Sequence, residues 1–381
     1  MRIVLFSERL RAPYDEGIKN LAVHLGAALS AEHELLVLTS DGQDDARYGV
    51  QNIDVNRALL STRLRSAIQR FQPEAIVYVP TACATLFSFA RARVLRHYGG
   101  NARTVLVALQ PRPYTALGRF LIRRLVSLPQ GRSSLDWVLT QSTRTGNVLR
   151  SLGCRTALLP PAVDTTRFRP ASPAEKAELR AKYGIPASAQ VVSQIGHLHD
   201  ERNLDHFLAF QALRNYHTVV VASTSTPQDA QIKQTLRAAG TMVIDTYVPD
   251  IGEVYRLSDL YLFLSESDTA AIEVPLSVLE AMACNLPVVC TPFGGLRDFF
   301  PDTQSPKGGT EHPGLFYWDA QAPLGDLVAT ALSTTSATRM LIAPCTWTAA
   351  ARALVSLLQD GQSLAPGDSQ GLHLREREEV S

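Results

Sequence analysis

Two kinds of hydrophobic pattern take turns along this chain. Ile3–Phe6, Glu34–Thr39, Ala75–Val79, Thr104–Leu109 and Trp137–Thr140 are short and mostly apolar, as strands buried on both faces are. Between and after them, Gly17–Leu29, Thr62–Phe71, Ala82–Tyr98, Leu117–Ser127 and Arg144–Leu152 place apolar residues at helical spacing. The second half repeats the scheme, with strands predicted at Val191–Ile195, Thr218–Ala222, Thr241–Ile244, Leu260–Phe263 and Val288–Cys290. Alternation at this spacing predicts parallel, doubly wound sheets. No short-period repeat is present, which argues against a solenoid.

Pro275–Gly295 is the most structured word in the sequence. Pro275 suits a first helical turn, where a missing N–H costs nothing. Leu276, Leu279 and Met282 give one apolar face, Asn285 can take the left-handed conformation that stops a helix, and Pro287 prevents its resumption. A buried strand follows, and then the turn Gly294-Gly295, where glycine allows a close backbone approach to an anion. A single carboxylate, Glu280, sits inside this apolar helix. On its own such a residue reads as a solvated helix position.

At 381 residues the chain has room for two cores, and its 45% hydrophobic and 19% charged content is that of an ordinary globular protein. No stretch approaches the roughly 20 apolar residues that span a bilayer. Met1–Phe6 is too short for the apolar core of a signal peptide and reads as a first strand. The five cysteines form no Cys-x-x-Cys pair, and their apolar surroundings read as reduced thiols of a cytoplasmic protein. Charge is uneven. Up to Asp164 there are 21 Lys and Arg against 12 Asp and Glu, or +9, and the remainder holds 16 against 24, or −8. A basic and an acidic half argue for two domains with different partners. The basic half suits an anionic membrane surface or an anionic acceptor, and no nucleic-acid motif accompanies it. Clustered prolines over Pro160–Pro170 mark a boundary. The expected division is residues 1–164, residues 165–345, a helix over 346–360 and a disordered tail over 361–381 rich in Gly, Ser, Glu and Arg.

The words PLSVLEAMACNLPVV closely resemble the donor-site helix of glycosyltransferase family 4, retaining nucleotide-sugar transferases of GT-B fold. Pro160-Pro161-Ala162-Val163-Asp164 with Phe168 and Pro170 is similar to that family's interdomain signature, with Ala162 in place of the usual Gly. The resemblance implies an α/β GT-B architecture, two Rossmann-like doubly wound domains facing a central cleft. The first domain would face the acceptor, and the second the nucleotide-sugar donor. It also implies a terminal helix, opening near Trp347, that crosses back to the first domain.

The resemblance implies these roles. Glu280 binds the donor ribose. Gly196, His197 and Arg202 form the loop after the first strand of the second domain, where the family carries Gly-Arg-Leu and a further cation. Here His197 replaces the first cation and Arg202 stands at the second. Arg202, with backbone groups at Ser277, Val278 and Leu279, would hold the diphosphate, as guanidinium groups and helix N-termini do. The family's second carboxylate, eight positions before Glu280, falls on Ile272. Its neighbour Glu273 is the preferred substitute for contacting the transferred sugar, ahead of Glu266 or Asp268. An N-terminal helix carboxylate is the ordinary reading of Glu273. Val248 lies in Asp245–Pro249, the segment that cradles the base, and Gly294 and Gly295 lie near sugar and phosphates. In the first domain Gly17 would face the phosphates and acceptor. Gln110 stands where the family often has His; it can hydrogen-bond a sugar but is no base at neutral pH.

The expected function is therefore retaining hexosyl transfer from a nucleotide sugar to a glycan, lipid-linked or small-molecule acceptor. No cofactor or metal is implied, since there is no Asp-x-Asp motif and no His or Cys cluster with ligand spacing. The helix Gly118–Val126 has cationic and apolar faces, which suits either an ordinary packed helix or contact with the inner face of an anionic membrane. The alternatives are an epimerase-like enzyme of the same fold, which needs no acceptor, and a non-catalytic nucleotide-sugar-binding or scaffold subunit.

Overall fold

The computed structural model describes residues 1–81, 83–110, 112–127, 135–199, 202–211, 216–224, 227–265, 267–301, 314–319 and 323–360. The chain forms two compact units, one of residues 1–161 with the final helix, the other of residues 162–346. The tail from 361 and Glu266 lie outside the described residues, as do Ala82, Pro111, Asp200 and Glu201.

The first unit runs β1 (Arg2–Ser7), α1 (Gly17–Ser30), β2 (Glu34–Thr39), β3 (Val50–Asn52), α2 (Thr62–Phe71), β4 (Ala75–Tyr78), α3 (Leu86–Gly99), β5 (Arg103–Val107), α4 (Ala116–Val126), β6 (Trp137–Thr140), α5 (Thr143–Ser151) and β7 (Thr156–Leu158). Its parallel sheet has the order β3-β2-β1-β4-β5-β6-β7. The second unit runs α6 (Pro173–Lys182), β8 (Gln190–Gly196), α7 (His206–Gln211), β9 (Tyr216–Ala222), α8 (Ala230–Ala238), β10 (Met242–Ile244), α9 (Gly252–Leu257), β11 (Leu260–Phe263), α10 (Leu276–Ala283), β12 (Val288–Cys290), α11 (Leu296–Phe299), β13 (Leu315–Tyr317), α12 (Leu324–Ser333) and α13 (Thr338–Leu341). Its parallel sheet has the order β10-β9-β8-β11-β12-β13. The last helix, α14 (Trp347–Asp360), belongs to the first unit, where it packs on α1 and Trp347 stacks on His24 at 5.4 Å.

The predicted strands all form, because an unbroken apolar run can be buried on both faces only inside a helix-covered parallel sheet. Three strands carry no signal of their own: β3, β7 and β13. Each has three residues at a sheet edge, where pairing with the neighbour decides the conformation. The helix expected from Ala82 begins at Leu86, since the Thr85 hydroxyl and Ser88 close a capping box there. Pro275 stands one residue outside its helix, as the N-cap, with extended ψ. Asn285 has φ +60, so it does stop α10 in the left-handed conformation. Two tertiary bonds hold it there: its amide donates to the Ser336 carbonyl at 2.9 Å and its side-chain oxygen accepts from the Arg339 N–H at 3.1 Å.

The proline-rich segment is not a free spacer. Val163 and Phe168 are buried in the core of the second unit, and the Val163 N–H bonds the Cys345 carbonyl at 3.0 Å. All five cysteines are free, four of them buried. Burial pushes the thiols of Cys154, Cys284 and Cys345 up to about 12, which leaves them unreactive.

Candidate functional site

The second sheet changes direction of growth between β8 and β11, and ligands of open α/β sheets bind beyond the carboxyl ends of the strands at such a point. Three loops leave that edge: 197–205 after β8, 264–275 after β11 and 291–295 after β12. Side chains and backbone tie them together. Arg202, 4% exposed, donates from Nη2 to the Ala270 carbonyl at 2.7 Å, and its guanidinium lies 5.0 Å over the Phe263 ring. Its other face packs on Gly196, where a Cβ would meet Nη1 at 3.2 Å. Gly196 has φ +152, so both its conformation and the close guanidinium favour glycine. Asn203, at φ +50, donates to the Leu264 carbonyl at 3.0 Å.

The turn after β12 supplies the other clamp. The Gly295 N–H donates to the Glu273 carbonyl at 2.8 Å. A Cβ at Gly294, whose φ is +54, would stand 2.2 Å from that same carbonyl oxygen. Only a glycine lets the two backbones approach this closely. Glu273 is therefore held at a fixed place, 1% exposed, between the core residues Ile272 and Val274. Ile272 is buried and apolar, and Glu273 beside it is buried as well. Asp268 is half-buried in the same loop.

Helix α10 starts just beyond, with no acidic residue in its first turn and no side-chain cap, so its N-terminal N–H groups and positive dipole end face this edge uncompensated by charge. Ser277 is half-buried and hydrogen-bonds Tyr261, whereas the Val278 and Leu279 side chains are wholly buried and their N–H groups donate to the Pro275 carbonyl at 3.1 and 3.4 Å. One turn on, Glu280 is half-buried. Tyr255, itself fully buried, donates its hydroxyl to Glu280 Oε2 at 2.7 Å. Burial raises the Glu280 pKa above its ordinary value, and the Tyr255 hydrogen bond and the positive charge of Arg167 pull it back. A carboxylate in this position can accept the two hydroxyls of a vicinal diol while Tyr255 fixes its rotamer.

Gly196, Arg202, Glu273, Ser277, Glu280, Gly294 and Gly295 thus belong to loops and one helix start along a single sheet edge. His197, half-buried, follows Gly196 there. Val248 packs against the apolar cluster beside β9 and β10, and its neighbour Tyr247 is 55% exposed. Gly17 opens α1, and Gln110 follows β5 half-buried; both stand in the first unit. Sequence reading missed Tyr255 and Asn203, which look like ordinary helix and loop residues until the fold aims them. It also missed Glu8. This carboxylate accepts from Arg91 Nη1 at 2.7 Å, from the Thr81 N–H at 2.9 Å and from the Tyr78 hydroxyl, at the point where the first sheet changes direction between β1 and β4. Its place one residue past the first strand was the available signal. Among the described residues no three His, Cys, Asp or Glu side chains converge as metal ligands, and no helix is long and apolar enough to cross a membrane.

Two outcomes follow from this geometry. Gly294→Ala should lower stability by about 1–3 kcal/mol, since either the 294 turn or Glu273 must shift; denaturant unfolding reads it. Glu280→Gln should raise the melting temperature by an amount that grows with pH. In wild type the carboxyl is neutral at low pH, but as pH rises past the ordinary 4.5 the unfolded chain ionises more easily than the folded one. Melting curves across pH check the sign; a gain confined to acid pH would contradict it.

The family model described as glycosyl transferases group 1 matches residues 189–309, the part of the chain that carries these loops. Sulfoquinovosyl transferase SQD2 of Arabidopsis thaliana is 25% identical over 340 residues, which is 81% of this chain and 63% of that protein. The lipopolysaccharide core biosynthesis mannosyltransferase LpsB of Rhizobium meliloti is 26% identical over 224 residues, covering 56% of this chain and 57% of the relative. The chain thus spans less than two thirds of the length of these curated relatives. Among solved structures, HepE of Anabaena in complex with UDP superimposes over 100% of both chains with a TM-score of 0.65 at 16% identity. WaaG, a glycosyltransferase involved in lipopolysaccharide biosynthesis, covers 94% of this chain and 98% of its own, with a TM-score of 0.60 at 14% identity. The architecture is GT-B: two Rossmann-like domains, the second of which holds the glycosyl transferases group 1 match.

Proposed function

We propose that this chain is a hexosyltransferase that takes a sugar from a nucleotide-sugar donor and places it on an acceptor hydroxyl with retention at the anomeric carbon. The observation that carries this reading is the clustering of Glu280, Glu273, Arg202 and the α10 N-terminus on one edge of the second sheet, inside the matched region. The mannosyltransferase and sulfoquinovosyl transferase among its relatives, and the UDP- and UDP-glucose-bound neighbours, favour a nucleotide sugar. In this reading Glu280 binds the ribose diol, and the 245–249 segment with Val248 receives the base. Arg202, the Gly196-His197 loop and the start of α10 at Ser277 hold the diphosphate, with Gly294 and Gly295 alongside. Glu273 orients the sugar.

The bond between the anomeric carbon and the diphosphate oxygen breaks, and the acceptor oxygen bonds that carbon from the same face. The acceptor proton passes to the departing diphosphate, so no protein base is required. The start of α10 and the guanidinium stabilise the charge that grows on the leaving group. Gly17 and Gln110 are assigned to the acceptor side. No metal or cofactor enters this scheme.

Screening nucleotide sugars by thermal shift and slow donor hydrolysis tests the reading. One donor should stabilise the protein, Glu280→Ala should abolish that shift, and Glu273→Ala should keep most of the binding while losing about a hundredfold in turnover. A ring-altered nucleotide sugar formed without acceptor would make it an epimerase. A donor bound and never turned over would make it a binding subunit.

An anionic lipid surface is the contact we favour on the acceptor side. Between Glu74 and Asp136 the sequence has nine arginines and no acidic residue. On α4, Leu117 and Phe120 are 67% and 53% exposed beside the exposed Arg119, Arg123 and Arg124. Sedimentation with phosphatidylglycerol vesicles should exceed that with phosphatidylcholine, and Leu117→Ser/Phe120→Ser should remove the difference; equal sedimentation with both lipids contradicts the contact.

A further inference from the structure

The segment Asp164–Phe168, a domain boundary in the sequence, is built against α10. Arg339 holds it there. The Arg339 guanidinium donates from Nη2 to the Thr165 carbonyl at 2.9 Å, from Nη1 to the Phe168 carbonyl at 3.0 Å, and to the carbonyl of Ala283, the last residue of α10. Within the turn, Asp164 Oδ1 accepts the N–H groups of Thr166 and Arg167, both at 3.0 Å, and the Asp164 carbonyl accepts from Phe168 at 2.9 Å. The Phe168 ring meets the Tyr255 ring edge-on at 5.8 Å, and Tyr255 is the donor to Glu280. The turn is therefore anchored to Tyr255 and, through Arg339, to the last residue of α10. From it Arg167 projects at the surface, with Nη2 3.4 Å from the Pro249 carbonyl and its guanidinium 5.2 Å over the Phe168 ring.

We propose that Arg167 is a positioning residue of the donor site: it ties the 245–250 loop to the turn whose Phe168 packs on Tyr255, the hydrogen-bond donor to Glu280. This rests on the donor reading above and names a residue that reading does not use. Arg167 touches neither the transferred sugar nor the diphosphate in this role. It acts through Glu280 and through Pro249, so the ribose and base subsites keep a fixed separation.

The electrostatics agree with the geometry. The titratable groups facing Glu280 are Tyr255 from α9, Tyr261 from β11 and Cys284 from the end of α10, with Arg167 from the turn. Burial raises both tyrosines and the thiol, so these three stay neutral at physiological pH. Arg256 and Arg339 act on Cys284, and Arg202 acts on Tyr261. The positive charge of Arg167 favours the ionised form of Glu280, against the larger effect of burial. A ribose-binding carboxylate has to be ionised to accept two hydroxyls, and Arg167 extends the pH range over which it is.

Calorimetric binding of UDP and GDP across pH, with melting curves of the unliganded protein, tests this in wild type, Arg167→Ala, Arg167→Lys, Glu280→Gln and the double variant Arg167→Ala/Glu280→Gln. Arg167→Ala should weaken nucleoside-diphosphate binding about three- to tenfold at neutral pH and move the acid limb of binding upward by roughly one pH unit, the low end of what one nearby charge does. Arg167→Lys should restore the acid limb while recovering only part of the affinity, because an ammonium lacks the planar fork that reaches Pro249. In the unliganded protein Arg167→Ala should lose stability increasingly as pH rises, since Glu280 then ionises without its counter-charge. That pH dependence should vanish in the double variant. If Arg167→Ala leaves both the acid limb and the pH dependence of melting at wild-type values while Glu280→Gln changes them, the proposal is overturned. If wild type binds no nucleoside diphosphate, the donor reading falls instead, and the melting curves still report whether Arg167 and Glu280 are coupled.

Discussion

The carboxyl edge of the second sheet depends on one backbone contact, the Gly295 N–H on the Glu273 carbonyl with no side chain at Gly294 to hold the two apart. Loop 264–275 is long and polar for a segment that has to deliver a helix at a defined place. Its N-terminal part is held by Arg202, Asn203 and the Thr291 hydroxyl, and its C-terminal part by the 294–295 turn. Everything downstream inherits that position: the Pro275 N-cap, the first turn of α10 and, one turn later, Glu280. Sub-ångström placement of a site by its supports, rather than by the residues that would touch ligand, is what such chemistry requires.

Around Glu280 several effects compete. Burial opposes ionisation, while the Tyr255 hydrogen bond and Arg167 favour it, and burial remains the largest. Enclosure costs the carboxylate hydration that an exposed helix position would keep. A carboxylate in such a place keeps its polar capacity at some expense of stability.

Arg202 and Arg339 illustrate how similar side chains divide the labour of the second unit. Each guanidinium donates to backbone carbonyls, Arg202 to that of Ala270 in the loop that enters α10 and Arg339 to those of the turn and of Ala283 at the end of α10. A planar group with several fixed donors can bridge carbonyls of separate segments, which an ammonium on a flexible stem does poorly. Neither role is visible in spacing along the chain, since Arg339 lies 171 and 174 residues from the carbonyls of Phe168 and Thr165.

The sequence by itself determined the class of fold, the longer strands and helices, the stop at Asn285 and the helix–strand–glycine word that holds Glu280. These are local facts: an apolar run with no polar break can only be buried on both faces, and a left-handed residue before a proline can only end a helix. It also held the candidate residues Glu273, Glu280, Arg202 and Gly196 as letters in recognisable positions. The tertiary structure decided what those letters do. It made Ile272 core and Glu273 the loop's buried carboxylate, brought Tyr255 under Glu280, turned a proline-rich connector into a buttress with Arg167 on its surface, and added edge strands too short to declare themselves. The reason is physical. Burial, hydrogen-bond partners and counter-charges are properties of groups that meet in space, and those groups come from chain segments tens to hundreds of residues apart.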